Sequence, residues 1–297
     1  MKIKNLFIVL FVAVTFLYSC TESDDNGSDM GKLTVQITDA PFPHDLVAEA
    51  NVTIYKIEGR FKSDEMEMDS EEAESGESDE DKEGYKFVTL MKEEIKLNLL
   101  DLTNGTTEQL ADLEVPAGTY DLLRVYAKGI NVVLVDSTTY DLKVPSGQQS
   151  GIKVFIKPGI EVRGGLTADL LLDFDVSRSF VPKGNRNDLS GIKGFNFKPV
   201  IKACNISTAG TLSGFIYTIE EEEKVGLEGA QIEIYAADTL NTTAFSDATG
   251  AYTVLGLTAG TYDVAVELDK YEMQTAEDVE ITAANKTIVD FELSAIP

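Results

Sequence analysis

A chain of 297 residues exceeds one ordinary domain, and its 51 acidic against 25 basic side chains leave a formal net charge of −26. Two domains are therefore expected, and nucleic acid is excluded as a partner because phosphate binding requires clustered Lys and Arg. Two cysteines cannot build a disulfide framework, and a single histidine cannot supply a zinc-ligand pair.

Lys2 and Lys4 precede an apolar run from Leu6 to Leu17, the pattern of a signal h-region. The run falls short of the roughly 20 apolar residues that span a bilayer core, so it predicts no retained transmembrane helix. Leu17-Tyr18-Ser19-Cys20 resembles the lipobox of bacterial lipoproteins. That resemblance implies removal of residues 1–19, lipidation of Cys20 and export. Several acyl chains then hold the protein durably, since each buried methylene adds about 0.8 kcal/mol. Residues 20–31 follow as a polar, acidic, flexible tether. Thr21 directly after the cysteine resembles lipoproteins passed to the outer membrane. The acidic stretch behind it is similar to the signal for surface exposure in some Gram-negative groups.

From residue 32 onward short strand patterns dominate. Leu33-Thr34-Val35-Gln36-Ile37 and Val52-Thr53-Ile54-Tyr55-Lys56-Ile57 alternate in the manner of half-buried strands. Further strands are predicted at Tyr85–Leu90, Ile95–Leu100, Thr119–Ala127, Asn131–Val135, Ile152–Ile156, Leu166–Phe174 and Phe195–Ala203, and one helical turn at Thr106–Leu113. Between the second and third strands, the stretch 63–84 carries a dense run of Asp and Glu. Such a block repels itself and buries no core, so it predicts a disordered insert. Its carboxylates are a weaker candidate for Ca²⁺. Small residues at 206–210 form a linker, and regular turn spacing follows. The predicted fold is all-β: two β-sandwiches in tandem, at 32–205 and 211–297, behind the signal and tether.

The second unit carries Gly226-Leu227-Glu228-Gly229-Ala230, Asp247-Ala248-Thr249-Gly250-Ala251-Tyr252 and Leu257-Thr258-Ala259-Gly260-Thr261-Tyr262-Asp263. This order resembles the carboxypeptidase regulatory-like domain, which implies a transthyretin-like sandwich grouped with carbohydrate-binding-like folds. Tyr252 and Tyr262 are expected in its core. The first unit carries Leu33 to Pro41, Leu99-Leu100-Asp101-Leu102-Thr103-Asn104-Gly105, Val115 to Tyr120 and Asp173-Phe174-Asp175-Val176-Ser177-Arg178. Together these resemble domain of unknown function 4382 of bacterial lipoproteins, which implies an all-β domain and no activity. Ala117-Gly118-Thr119-Tyr120-Asp121 recurs as Ala259-Gly260-Thr261-Tyr262-Asp263, so similar turn chemistry, and a sandwich, is expected in both.

Few residues point to chemistry. Asp173 and Asp175, two apart on a strand, face one side and could seat a cation or act as acid and base. A polar face or a charge pair with Arg178 explains them as well. His44 lies in a proline-bounded loop with no nucleophile motif around it, and Cys204 reads as a small semi-buried thiol. With no Trp in the chain, a sugar platform would draw on tyrosines such as Tyr126 and Tyr140. The sequence therefore predicts no catalytic residue and no cofactor. It points to a lipid-anchored binding or scaffold protein whose partner is a glycan or another envelope protein. The alternatives are a hydrolase using Asp173 and Asp175, or a cation-binding surface protein using the insert.

Overall fold

A computed structural model describes residues 29–40, 46–62, 85–144, 150–185 and 188–296. Cys20, His44 and the acidic stretch 63–84 lie outside the described residues.

The first unit runs through β1 (Met30–Ala40), β2 (Val47–Lys62), β3 (Tyr85–Met91), β4 (Ile95–Asn98), β5 (Glu108–Pro116) and β6 (Gly118–Leu134). It continues with β7 (Thr139–Asp141), β8 (Ile152–Val162), β9 (Thr167–Asp175), the one-turn helix α1 (Val176–Ser179), β10 (Phe180–Gly184), β11 (Ile192–Phe197) and β12 (Ile201–Asn205). A ten-stranded sheet follows the path β3-β2-β6-β8-β12-β9-β1-β5, with β4 added to β2 and β7 to β6. The path rolls until its two end strands, β3 and β5, approach each other, so one layer closes over one core.

Alternation drives the rolling sheet. Leu33, Val35 and Ile37 on β1 are buried while Lys32, Thr34 and Gln36 lie outside or half-buried, the period of a pleated strand. Register shifts along β2 and β6 add the twist that a rolled sheet requires. The small β10–β11 sheet closes one end of the core with Phe180 and Phe197, whose ring centroids are 5.0 Å apart, both near Phe174.

Two expectations need correction. Thr106–Leu113 is not helical: Glu108–Pro116 forms β5, antiparallel to β1, because Leu110, Ala111 and Val115 gain burial as strand residues. The single helical turn of that region lies instead at Leu99–Leu102, capped by the Asn98 side chain. The run Phe195–Ala203 is two strands rather than one, since a break spanning Lys198–Val200 sends β11 to β10 and β12 to the large sheet.

A turn over Ile206–Thr208, with the Thr208 N–H donating to the Asn205 carbonyl at 3.1 Å, leads into the second unit. Its strands are β13 (Ala209–Glu220), β14 (Glu223–Gly226), β15 (Gln231–Ala236), β16 (Thr239–Phe245), β17 (Ala251–Thr258), β18 (Gly260–Glu267), β19 (Gln274–Ile281), β20 (Lys286–Ile288) and β21 (Phe291–Glu292). One sheet is β14-β13-β17 with β20 and β21 on β13, and the other is β16-β15-β18-β19. Leu212, Ile216, Ile232, Ile234, Val264 and Phe291 fill the space between them.

The repeated Ala-Gly-Thr-Tyr-Asp segment folds the same way twice. Tyr120 Oη donates to the Pro116 carbonyl at 3.0 Å and Tyr262 Oη to the Thr258 carbonyl at 2.8 Å, each four residues back across the turn. Gly118 sits at φ 146°, where a Cβ would meet the Lys62 carbonyl oxygen at 2.4 Å. Each tyrosine thus fills a core with its ring and closes a turn with its hydroxyl, the economy of a tyrosine corner. Tyr120→Phe and Tyr262→Phe should each cost about 1 kcal/mol of stability, the net worth of one buried hydrogen bond. Urea unfolding of the two variants checks this, and midpoints unchanged from the parent would remove the role assigned to the hydroxyls.

Candidate functional site

The polar residues singled out in the sequence gather along a seam where β9 and β12 of the first unit meet β16 and β17 of the second. Asp173 lies opposite Thr38 on one side and Lys202 on the other. It lines a cavity of about 20 Å³ together with Asp39, Thr242, Thr243 and Val254. That space holds on the order of one water.

Asp175 is buried and turned to a different task. Its carboxylate accepts from the Arg178 N–H at 2.9 Å and the Ser177 hydroxyl at 2.8 Å, and pairs with the Arg178 guanidinium. This is the N-cap of α1, where a carboxylate satisfies otherwise orphaned amides. Asp39 Oδ1 accepts from the Val176 N–H at 3.1 Å on the same turn. Asp173 and Asp175 are therefore close enough to feel each other but do not converge on a common opening. The cavity that Asp173 lines is far smaller than the several hundred Å³ that a bound small molecule occupies.

Burial pushes the Asp173 carboxyl up to about 6; the cations of Lys202 and Arg178 oppose this and Asp175 adds to it. Burial also lowers the Lys202 ammonium against the pull of Asp173. Desolvation thus outweighs mutual attraction at this pair, as it does for many buried charges. The Lys202 ammonium donates across the seam to the Asn241 main-chain carbonyl, and lies 3.2 Å from its Oδ1.

The other clamp was not read from sequence as a contact. Asn104 and Gly105 have φ of 57° and 82°, the paired left-handed geometry of a tight Asn-Gly turn. That turn presents the Asn104 side chain to the second unit. Its Nδ2 donates to Asp247 Oδ2 and to the Ala251 carbonyl, each at 3.1 Å, and its Oδ1 accepts from the Thr253 N–H at 2.9 Å. The partner lies 143 residues away, beyond the reach of local sequence patterns.

The remaining candidates occupy quiet places. Cys204 lies half-buried at the seam, its thiol pushed up to about 12 by burial, and a Cβ on Gly256 of β17 would come within 2.7 Å of its sulfur. Such a thiol is a packing group rather than a nucleophile. Tyr126 and Tyr140 do not form the expected exposed platform. Tyr126 is buried with its hydroxyl donating to Glu58 at 2.7 Å, and Tyr140 is half-buried, donating to the Ile192 carbonyl at 2.9 Å. Among the described residues, no group of three or more His, Cys, Asp or Glu side chains is placed to hold a metal ion. No helix among them is long and apolar enough to cross a membrane.

Two outcomes follow from the seam. Asn104→Gly keeps the left-handed turn but deletes three contacts, so the two units should unfold as separate calorimetric transitions where the parent shows closer coupling. An unchanged thermogram would mean the clamp is idle. The neutral Asp173 carboxyl favours the folded state below its ordinary value near 3.8, and that contribution is lost as pH rises through about 6. Asp173→Asn should therefore flatten the stability profile between those limits, measured by urea midpoints across pH 3.5 to about 7.

Comparison with known proteins follows the same division. The model of a family described as a domain of unknown function (DUF4382) matches residues 30–199, and that of the carboxypeptidase regulatory-like domain matches residues 211–294. No curated protein matches the chain. Among solved structures it is similar to a candidate carbohydrate-binding protein of Bacteroides uniformis, at 24% identity over 29% of this chain and 41% of that one, with a TM-score of 0.25. It is also similar to a type II cohesin–X-dockerin complex of Acetivibrio cellulolyticus, at 21% identity over 29% and 58%, with a TM-score of 0.24. A minor pilin of Streptococcus agalactiae matches at 12% identity over 89% and 96%, with a TM-score of 0.27. The chain thus spans less than two thirds of the first two proteins. On the match over residues 30–199, the chain belongs to the DUF4382 family, with a carboxypeptidase regulatory-like domain behind the family domain.

Proposed function

We propose that this chain is a non-catalytic, lipid-anchored protein of the outer membrane, displayed at the cell surface as a two-unit binding or scaffold module for a glycan or envelope protein. The observation that carries this reading is the use made of the polar residues. Asp175 caps α1, Lys202 crosses to Asn241, and Asn104 holds the Asp247–Ala251 turn. These groups are committed to a helix cap and to the seam, and a rolled sheet joined to a sandwich offers faces and edges for a partner.

The lipobox-like run ending at Cys20 supports the anchor, and the tether behind it gives the units reach. A membrane-held module of this kind needs no further signal, because several acyl chains on one cysteine hold far longer than one. Palmitate labelling of expressing cells should mark the protein, and Cys20→Ser should abolish both label and membrane retention. A mutant still retained in the membrane fraction defeats the anchor.

Binding is tested with the soluble chain starting at Thr21, on a glycan array and in pull-downs from envelope extracts. Reproducible turnover of any polysaccharide or peptide, abolished by Asp173→Asn, would falsify the non-catalytic reading.

A further inference from the structure

Asn241 occupies an irregular place at the seam. The pairing of β15 with β16 passes from Ile234 opposite Thr242 to Tyr235 opposite Leu240, so Asn241 is the extra residue of a β-bulge. Such a residue is released from the ladder and its side chain is re-aimed. Here it meets β12 of the first unit: the Lys202 Nζ contacts the Asn241 main-chain carbonyl and lies 3.2 Å from Oδ1. The side-chain carbonyl carbon stands one bond, about 1.23 Å, from that oxygen. An amine and an amide 39 positions apart in sequence are thereby held together.

The third group is an acid. Asp173 lies directly opposite Lys202 across the β9–β12 ladder, where Cβ atoms of antiparallel neighbours stand about 4.5–5.5 Å apart. It also lines the cavity of about 20 Å³ with Thr242, the residue after Asn241. Asp175, two residues on, is taken up by the cap of α1 and by Arg178, so Asp173 is the acid left to Lys202. Desolvation raises the Asp173 carboxyl and lowers the Lys202 ammonium. Both shifts favour the neutral pair of carboxylic acid and free amine, and a desolvated lysine amine is a nucleophile.

We propose that the Lys202 and Asn241 side chains condense into an amide crosslink, formed by the folded chain on itself with release of ammonia, that joins β12 of the first unit to β16 of the second. The Lys202 Nζ, as free amine, attacks Asn241 Cγ, and the carbonyl π pair moves onto Oδ1. The Asp173 carboxyl gives its proton to Nδ2 and takes one from Nζ. The oxygen pair returns, the Cγ–Nδ2 bond breaks as ammonia leaves, and the Nζ–Cγ bond stays. Atoms and electrons balance with no further reactant, and Asp173 ends in its starting state. Fixing amine, amide and acid in one folded site supplies the proximity that the same groups lack when free in water. Each chain reacts once, so the crosslink is not turnover and goes beyond the binding-module reading. The product makes the seam covalent, and the closed loop takes chain entropy from the unfolded state.

Intact-mass spectrometry of the full mature chain carrying Cys20→Ser tests this. The parent should be lighter than its sequence mass by one ammonia. A tryptic digest should yield a branched peptide joining Lys202 to Asn241, with no cleavage after Lys202. Lys202→Arg should carry the full mass. Asp173→Asn should slow linkage by about a hundredfold, the scale of a lost acid–base group, read as the linked fraction over days in protein shown to be folded by circular dichroism. Three results overturn the proposal: full mass in the folded parent, an ammonia loss that persists in Lys202→Arg and maps to a cyclised asparagine, or linkage in folded Asp173→Asn as fast as in the parent. None of these touches the binding-module reading, which is tested on ligands.

Discussion

The pairing of β2 with β6 is the constraint from which the rest of the first unit follows. Both strands are long, 16 and 17 residues, and their register runs from Val47 opposite Leu134 to Lys62 opposite Thr119. One side of that ribbon places Ile54, Ile57, Phe61, Tyr120, Leu123 and Val125 in the core. The other side, by the same two-residue period, must carry whatever remains, which here is a row of cations and rings. Core and outer face are therefore one decision: a slip of a single residue would exchange them. Four register shifts along the pair bend the ribbon without changing its parity for long, so that β3 and β5 can approach and the sheet can roll over its own apolar side.

A rolled sheet alone has an end to cover and a successor to hold. The Phe174, Phe180 and Phe197 cluster covers the end, while the seam holds the second unit by hydrogen bonds as well as by packing of Leu171 and Cys204 against Gly256. This choice has a consequence. Hydrogen bonds from Asn104 demand the left-handed turn at Asn104-Gly105 and the fixed loop at Asp247, whose own carboxylate is held low by the Thr249 and Ala251 amides and the Thr249 hydroxyl. Directional contacts specify one orientation, whereas an apolar patch tolerates sliding. A two-unit protein gains from that, since the spacing of its faces is then part of the fold.

Legibility followed the range of the interaction. The alternating strands, the all-β class and the repeated tyrosine turn depend on neighbours within a few residues, and Leu33, Val35, Ile37, Tyr252 and Tyr262 are all buried as their spacing requires. Thr106–Leu113 was misread because Leu110 and Leu113, three apart, also fit a helical face; pairing of β5 with β1, more than 70 residues earlier, decided the matter. The tyrosines failed for a related reason. Tyr126 does point out of its sheet, yet Lys56 covers it from one side and Gly151 packs on its ring. Asp173 and Asp175 share a strand as expected, but Asp173 meets Lys202 of β12 and a cavity walled by the second unit, while Asp175 caps the following helix. A sequence displays parity well and occupants poorly.

The distribution of charge completes the argument. In a chain with 51 acidic and 25 basic residues, a lysine answered only by carboxylates is neutralised where it stands. A lysine or arginine held over an aromatic ring is positioned by the ring's quadrupole without losing its charge. Screening at physiological salt limits the reach of the remaining acidic surface to about 8 Å, so the local sign is set by immediate neighbours. Of the five ring-seated cations across β3, β2, β6 and β8, Lys56, Arg60 and Lys128 are also paired with Glu58, Asp121 and Glu94, so ring and carboxylate together fix where each of these charges stands.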